Sequence, residues 1–293
     1  MVKWIKKYWA GYFFLAPWLI GLLAFTIIPM IASLYFSFTK YNLLNTPSFI
    51  GFENYIKLFS DKNFLKSLSV TFEFVFLSVP LRMGFALLVA VLLNRKIKGL
   101  RYYRAAYYVP TLFGGSVAIS ILWRQIFNNE GLVNDFLNIF GIESFNWIAN
   151  PRTALYTLIV LMVWQFGSSM LIFLAALKQV PQELYESADI DGAGNIRKFF
   201  SITIPLITPM ILFNLVMTVI GAFQAFTPAY IISNGTGGPM GSTLLYSLYL
   251  YKRGFNFFQM GYASAMAWLL LIMIGIFTAI IFWTAKKWVY YEG

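Results

Sequence analysis

An all-α integral membrane fold, with about six transmembrane helices of roughly 20 residues each, is what this sequence predicts. Three observations lead there. Hydrophobic residues make up 59% of the 293, charged residues only 11%, and mean hydropathy is +0.70, whereas ordinary soluble domains carry about 25% charged residues. The apolar residues come in uninterrupted runs, not in short strands or amphipathic stripes, so lipid is the solvent that buries them. The charges stand at the ends of those runs: Lys3, Lys6 and Lys7 before the first, Arg95, Lys96, Lys98, Arg101 and Arg104 between the second and third, Lys286 and Lys287 after the last.

The first run, Tyr12–Phe38, follows a basic start like that of a signal peptide. Its uncharged stretch extends from Tyr8 to Thr39, with no small-residue cleavage pattern after a short core, so it is expected to remain as a span. The second, Leu68–Leu93, carries the clear intramembrane charges: Glu73 toward the outer interface and Arg82 deeper, beside the kinking Pro80. An arginine there forms an ion pair, snorkels to the interface, or lines a path. The remaining spans are expected at Ala105–Phe127, Thr153–Leu177, Leu206–Ile232 and Tyr262–Thr284. Trp4, Tyr8, Trp9 and Tyr12 at the start, and Trp283, Trp288, Tyr290 and Tyr291 at the finish, suit the headgroup layer. The longest outer loops, Lys40–Lys66 and Ser233–Met260, are too short for separate domains, leaving residues 1–293 as one membrane domain.

An even number of spans puts both termini on one side. That side holds roughly 13 Lys and Arg, against about 8 in the longer opposite loops, so both termini are expected in the cytoplasm of a cell-membrane protein.

The net charge of +11 invites a nucleic-acid reading, but its placement at span ends matches cytoplasmic loops and anionic lipid instead. Without Cys or His, disulfides, thiolate metal sites and imidazole acid-base chemistry are excluded. No Gly-x-x-x-x-Gly-Lys-Ser/Thr motif occurs, so the chain does not itself cradle nucleotide phosphates. Asp189–Gly194 is no calcium loop: Ala193 offers no ligand and Phe200 stands where a closing Glu belongs. A magnesium-dependent membrane transferase would need a second acidic cluster, which is missing.

The most informative segment runs from Pro181 to Ala193, between the fourth and fifth runs. Pro181 suits a first helical turn, Glu183 and Glu186 favour the positive end of a helix, and Gly192 can take the left-handed geometry that stops one. Asn195 is then expected to cap a second short helix, with Pro205 opening the fifth span. Two small helices rigidly joined to a span make a knob that a partner's groove can grip.

Glu186-Ser187-Ala188, Asp191-Gly192-Ala193, then Phe199 or Phe200, Ile202 and Pro205 resemble the signature loop of permease subunits of binding-protein-dependent ATP-binding-cassette importers, in the carbohydrate and glycerol-phosphate branch. Ser187 departs from the family's Ala but stays small. The six-span layout, Pro17, Pro29 and the Asn234–Pro239 turn extend the resemblance over nearly the whole chain. It implies the type I importer permease fold, a second related permease, two ATP-binding subunits that hold ATP and magnesium, and an extracytoplasmic solute-binding protein. It also implies that Glu186, Ala188, Asp191, Gly192 and Ala193, within a cytoplasmic loop over 178–205, transmit ATP-driven movement. No cofactor is expected in this chain.

Neutral polar residues point to the cargo. Trp164, Gln165, Ser168 and Ser169 lie in the fourth run, and Asn214, Thr218, Gly221, Phe223, Gln224 and Phe226 in the fifth. Hydroxyl-matching groups beside aromatic faces suit sugars, so Gln165, Ser168, Thr218 and Gln224 are expected to line the path; the bland reading is helix-helix adhesion. An oligosaccharide is the expected cargo, with glycerol phosphate next, since the spans offer only Arg82 as fixed positive charge for a phosphate. An ion-coupled secondary transporter, the rival class, calls for more buried relay charges.

Overall fold

The computed structural model of the protein describes residues 2–95 and 99–290, without the side chains of 2–8 and 10. Lys96, Lys98 and Tyr291 lie outside the described residues, and Lys3, Trp4, Lys6, Lys7 and Tyr8 outside the described side chains. Helices dominate; among the described residues the strands are one antiparallel pair, Thr39–Lys40 against Ser48–Phe49.

Among the described residues, four helices are long and apolar enough to cross a membrane: Gly11–Ser37, Lys62–Leu93, Asn195–Ile232 and Met260–Ala285. Two helix pairs meet the same test together but are bent, Leu100–Phe113 with Val117–Ile126 by 101° and Ala154–Trp164 with Gly167–Leu177 by 42°. The run expected as one span at Ala105–Phe127 is therefore two helices. Gly114 and Gly115 supply no side chain to hold a helical turn, and Ser116 restarts the chain by capping: its Oγ accepts from the Ile119 amide at 3.3 Å.

Prolines leave a second mark. Pro29 and Pro205 each follow a π turn, Leu23–Ile27 and Phe199–Thr203. A proline ring crowds the carbonyl four residues back, here Phe25 and Ser201, and both fall inside the widened turn that relieves the clash. The helix from Asn195 thus runs on through Pro205 to Phe223 instead of ending as a separate short helix.

The chain divides into two compact units. In the smaller, formed by Met1–Asp61 and Leu250–Leu270, Asn54 Nδ2 donates to the carbonyls of Ser37 and Thr39, both at 2.9 Å, fixing the short Glu53–Ser60 helix under the strand pair. Asp61 accepts from Arg253 at 2.6 Å and from the Tyr262 hydroxyl at 2.8 Å.

In the larger unit, the Lys62–Leu93 helix is central and packs against Ala154–Trp164, Gly167–Leu177 and Ile204–Phe223. Ala86, Ala90, Met170, Phe173 and Ile207 form the buried core of that packing. Thr71 Oγ1 accepts from the Tyr246 amide at 2.7 Å, and the Phe72, Phe223 and Phe277 rings lie 5.2 to 5.8 Å apart. Apolar side chains such as Phe76, Leu88 and Phe213 stay exposed, as a lipid-facing surface requires.

Candidate functional site

Three helix interruptions in the larger unit open on one cavity of about 350 Å³. Gly115 comes from the first, Gln165 from the second, and Gln224 with Phe226 from the third, between Phe223 and Thr227; Arg82 completes the wall from the Lys62–Leu93 helix. Interrupted helices leave backbone groups without helical partners, and at membrane depth these are tolerated where they are buried in protein or line a cavity. Gln165 ties two of the breaks together. Its Nε2 donates to the Gly114 carbonyl at 3.1 Å and the Leu161 carbonyl at 3.2 Å, while its backbone carbonyl accepts from Thr111 Oγ1 at 3.3 Å. Close approach here demands glycine: a Cβ at Gly114 collides with the Gln165 side chain, and one at Gly167 with the Tyr107 carbonyl and Thr111.

The four residues expected on the path separate. Gln165 and Gln224 line the cavity. Thr218 is 6% exposed, and neither it nor the half-buried Ser168 belongs to the cavity wall. Arg82, left open between pairing, snorkelling and lining, does line it; its Nε is buried without a hydrogen-bond partner, and no ion pair among the described residues includes it. In the sequence, the Gly114-Gly115-Ser116 breaker is the signal for a polar backbone opening in the third run.

The second candidate surface is the segment after Leu177. Gln182–Ile190 is a helix with Pro181 as its cap residue, and Gly192 adopts φ +72°. The Ala193 amide bonds to the Ala188 carbonyl at 2.9 Å and the Gly192 amide to the Asp189 carbonyl at 3.1 Å, which together close the helix end. Gly194, not Asn195, occupies the next cap, and Asn195 is the first helical residue. Lys198 Nζ meets Asp189 Oδ1 at 2.5 Å, and Gln182 Nε2 donates to Glu186 at 3.0 Å. Glu186, Asp191 and Gly192 are exposed, Ala188 and Ala193 half-buried. Ile190 at 89% and Phe200 at 65% exposure place apolar groups on the same polar segment. Beside it, Tyr185, Ile196, Phe199 and Thr203 line a groove of about 520 Å³ with Val91 and Leu177.

Residues 59–287 match the family described as binding-protein-dependent transport system inner membrane component. The chain belongs to this family. The permease is 55% identical over 286 residues to the probable ABC transporter permease protein YesP of Bacillus subtilis (strain 168), spanning 97% of this chain and 93% of YesP. It is 36% identical over 270 residues to the arabinooligosaccharides transport system permease protein AraP of the same organism, spanning 90% of this chain and 85% of AraP. A chain of a bacterial alginate ABC transporter, crystallised with an alginate pentasaccharide-bound periplasmic protein, shares the fold at a TM-score of 0.85 and 23% identity, covering 98% of this chain and 97% of that one. The permease is accordingly a multi-pass membrane subunit of an ABC importer, and it is not an enzyme.

Proposed function

We propose that this permease passes a carbohydrate, delivered by an extracytoplasmic solute-binding protein, through a path that includes the cavity at the three helix breaks. The observation that carries this is the convergence of Gly115, Gln165 and Gln224 on one cavity, because polar breaks at membrane depth need either protein or cargo and water to satisfy them. A second, related permease encloses the other side, and the bilayer surrounds the pair. Six spans, each bent pair counting once, leave both termini and the 178–205 loop in the cytoplasm. There Glu186, Ala188, Asp191, Gly192 and Ala193 meet two ATP-binding subunits, which hold ATP and magnesium. The arabinooligosaccharides of the AraP system support a saccharide cargo, and the alginate transporter that shares the fold agrees with it.

The test is ATP-dependent uptake of labelled oligosaccharides into proteoliposomes holding the permease with its co-purified subunits and binding protein. Saturable uptake that requires both ATP and the binding protein is expected. Uptake driven by an ion gradient without ATP would overturn the reading.

A further inference from the structure

Arg82 is a fixed positive charge in the wall of the cavity, and no described residue on that wall carries a charge that compensates it. Among the described residues the lining contains no Asp or Glu. Among the described residues the Nε of Arg82 is buried with no hydrogen-bond partner, and no salt bridge includes Arg82. The larger pocket of the smaller unit differs in carrying a carboxylate of its own: Arg253 is paired with Asp61 in its wall and Lys57 with Glu53, although Lys40 also lines it. A guanidinium partly withdrawn from water, as here at Nε, favours an anion that meets it, and its planar fork matches a carboxylate in two parallel bonds.

The neighbours of Arg82 are those of a saccharide site, not of a bare ion. Both amide hydrogens of Gln165 are spent on the Gly114 and Leu161 carbonyls, which leaves its side-chain oxygen as an acceptor for a hydroxyl. Gln224 adds an exposed amide and Phe226 a ring. The volume of about 350 Å³ stands at the lower end of small-molecule sites, which run from about 300 to 1,000 Å³.

We infer that this cavity is selective for an anionic saccharide, with Arg82 binding an oxyanion of the cargo, a sugar carboxylate in the first place. The inference rests on the carbohydrate reading above and narrows it. A phosphate oxyanion offers the same chemistry, so the experiment separates the two sources.

The complete importer in proteoliposomes is given matched trisaccharides of glucose and of galactose, each neutral or with its C6 hydroxymethyl groups oxidised to carboxylates, and separately glycerol 3-phosphate. Uptake is measured for wild type, Arg82→Gln and Arg82→Lys at equal inserted protein. The quantity read is the ratio of carboxylate to neutral uptake, compared between variants with one binding protein, whose own preference then cancels. Arg82→Gln is expected to lower that ratio by about 10- to 100-fold, the range for a lost charge-assisted hydrogen bond, while Arg82→Lys retains most of it. Uptake of glycerol 3-phosphate that depends on Arg82, with none of a carboxylate sugar, supports the oxyanion site and assigns it to phosphate. Proportional loss of both sugars in Arg82→Gln, as for an ion pair with another subunit, overturns the inference and leaves the carbohydrate reading standing. Absence of uptake of any sugar and of glycerol 3-phosphate by wild type overturns both.

Discussion

The Tyr185 hydroxyl lies 2.7 Å from Thr203 Oγ1. Tyr185 stands on the exposed Gln182–Ile190 helix, and Thr203 closes the π turn that feeds the Ile204–Phe223 helix, so the bond ties the proposed docking surface to a helix whose far end reaches the cavity. Thr203 is buried, and an unmet polar group there is costly. Tyr185→Phe removes one partner and is expected to loosen the link by about 1 kcal/mol. ATP-driven uptake should fall by about fivefold, while membrane-inserted protein stays level. An unchanged ratio of sugar imported to ATP hydrolysed would show that movement reaches the helix by another route.

Gly192 allows a graded test. Its φ of +72° is left-handed, yet a Cβ placed on it meets nothing within 4 Å, so any penalty is conformational and not steric crowding. A non-glycine residue in this region costs about 1–2 kcal/mol, with asparagine tolerated better than alanine and a β-branched side chain worst. Uptake is therefore expected to decline in the order Gly192→Asn, Gly192→Ala, Gly192→Val with insertion unaffected. Equal uptake by the asparagine and valine variants would remove the helix stop from the coupling path.

The loop was legible because its information is local: proline, acids and glycine at fixed offsets determine where one helix starts and stops. The apolar runs were legible for the same reason, as each is a composition held over consecutive residues. Gly114-Gly115-Ser116 was just as local, but high hydropathy on either side masked a breaker that bends the chain by 101°. What could not be read are pairings between distant residues. Thr71 meets Tyr246 across 175 positions, and Arg124 reaches Asn234 across 110. Nor does any periodicity reveal that Gln165 and Gln224 share a wall with Arg82 while Thr218, six residues before Gln224, does not.

Orientation can be measured directly, because the chain has no native cysteine. The Asp189 side chain is 62% exposed despite its bond to Lys198, and Glu143 is exposed in the segment between Leu132–Ile139 and Ala154–Trp164. With termini in the cytoplasm, an impermeant maleimide added to intact cells should label Glu143→Cys and leave Asp189→Cys unlabelled until the cells are opened. The reverse pattern inverts the topology.

Cargo contact and helix adhesion separate most sharply within the Ile204–Phe223 helix and its end. Thr218 is 6% exposed and off the cavity wall, whereas Gln224 is exposed on that wall at the helix terminus. Truncating a buried threonine removes packed atoms and disturbs helix association, at about 0.6–2 kcal/mol for a polar contact in a membrane interior. That loss falls on every cargo alike. On the proposed path, truncating Gln224 removes a hydrogen-bonding group that would face the cargo, and a site built to pair with hydroxyls discriminates among sugars through such groups. Thr218→Ala is thus expected to lower inserted protein, or uptake of two related sugars in proportion, with their ratio unchanged. Gln224→Ala is expected to keep abundance and shift the ratio by about fivefold or more, the equivalent of one hydrogen bond. Gln165→Ala should do both, since its amide nitrogen holds the Gly114 break closed while its oxygen is free for cargo. If the ratio moves with Thr218→Ala and stays fixed with Gln224→Ala, the path runs along the opposite face of this helix and the cavity at the three breaks is a packing defect.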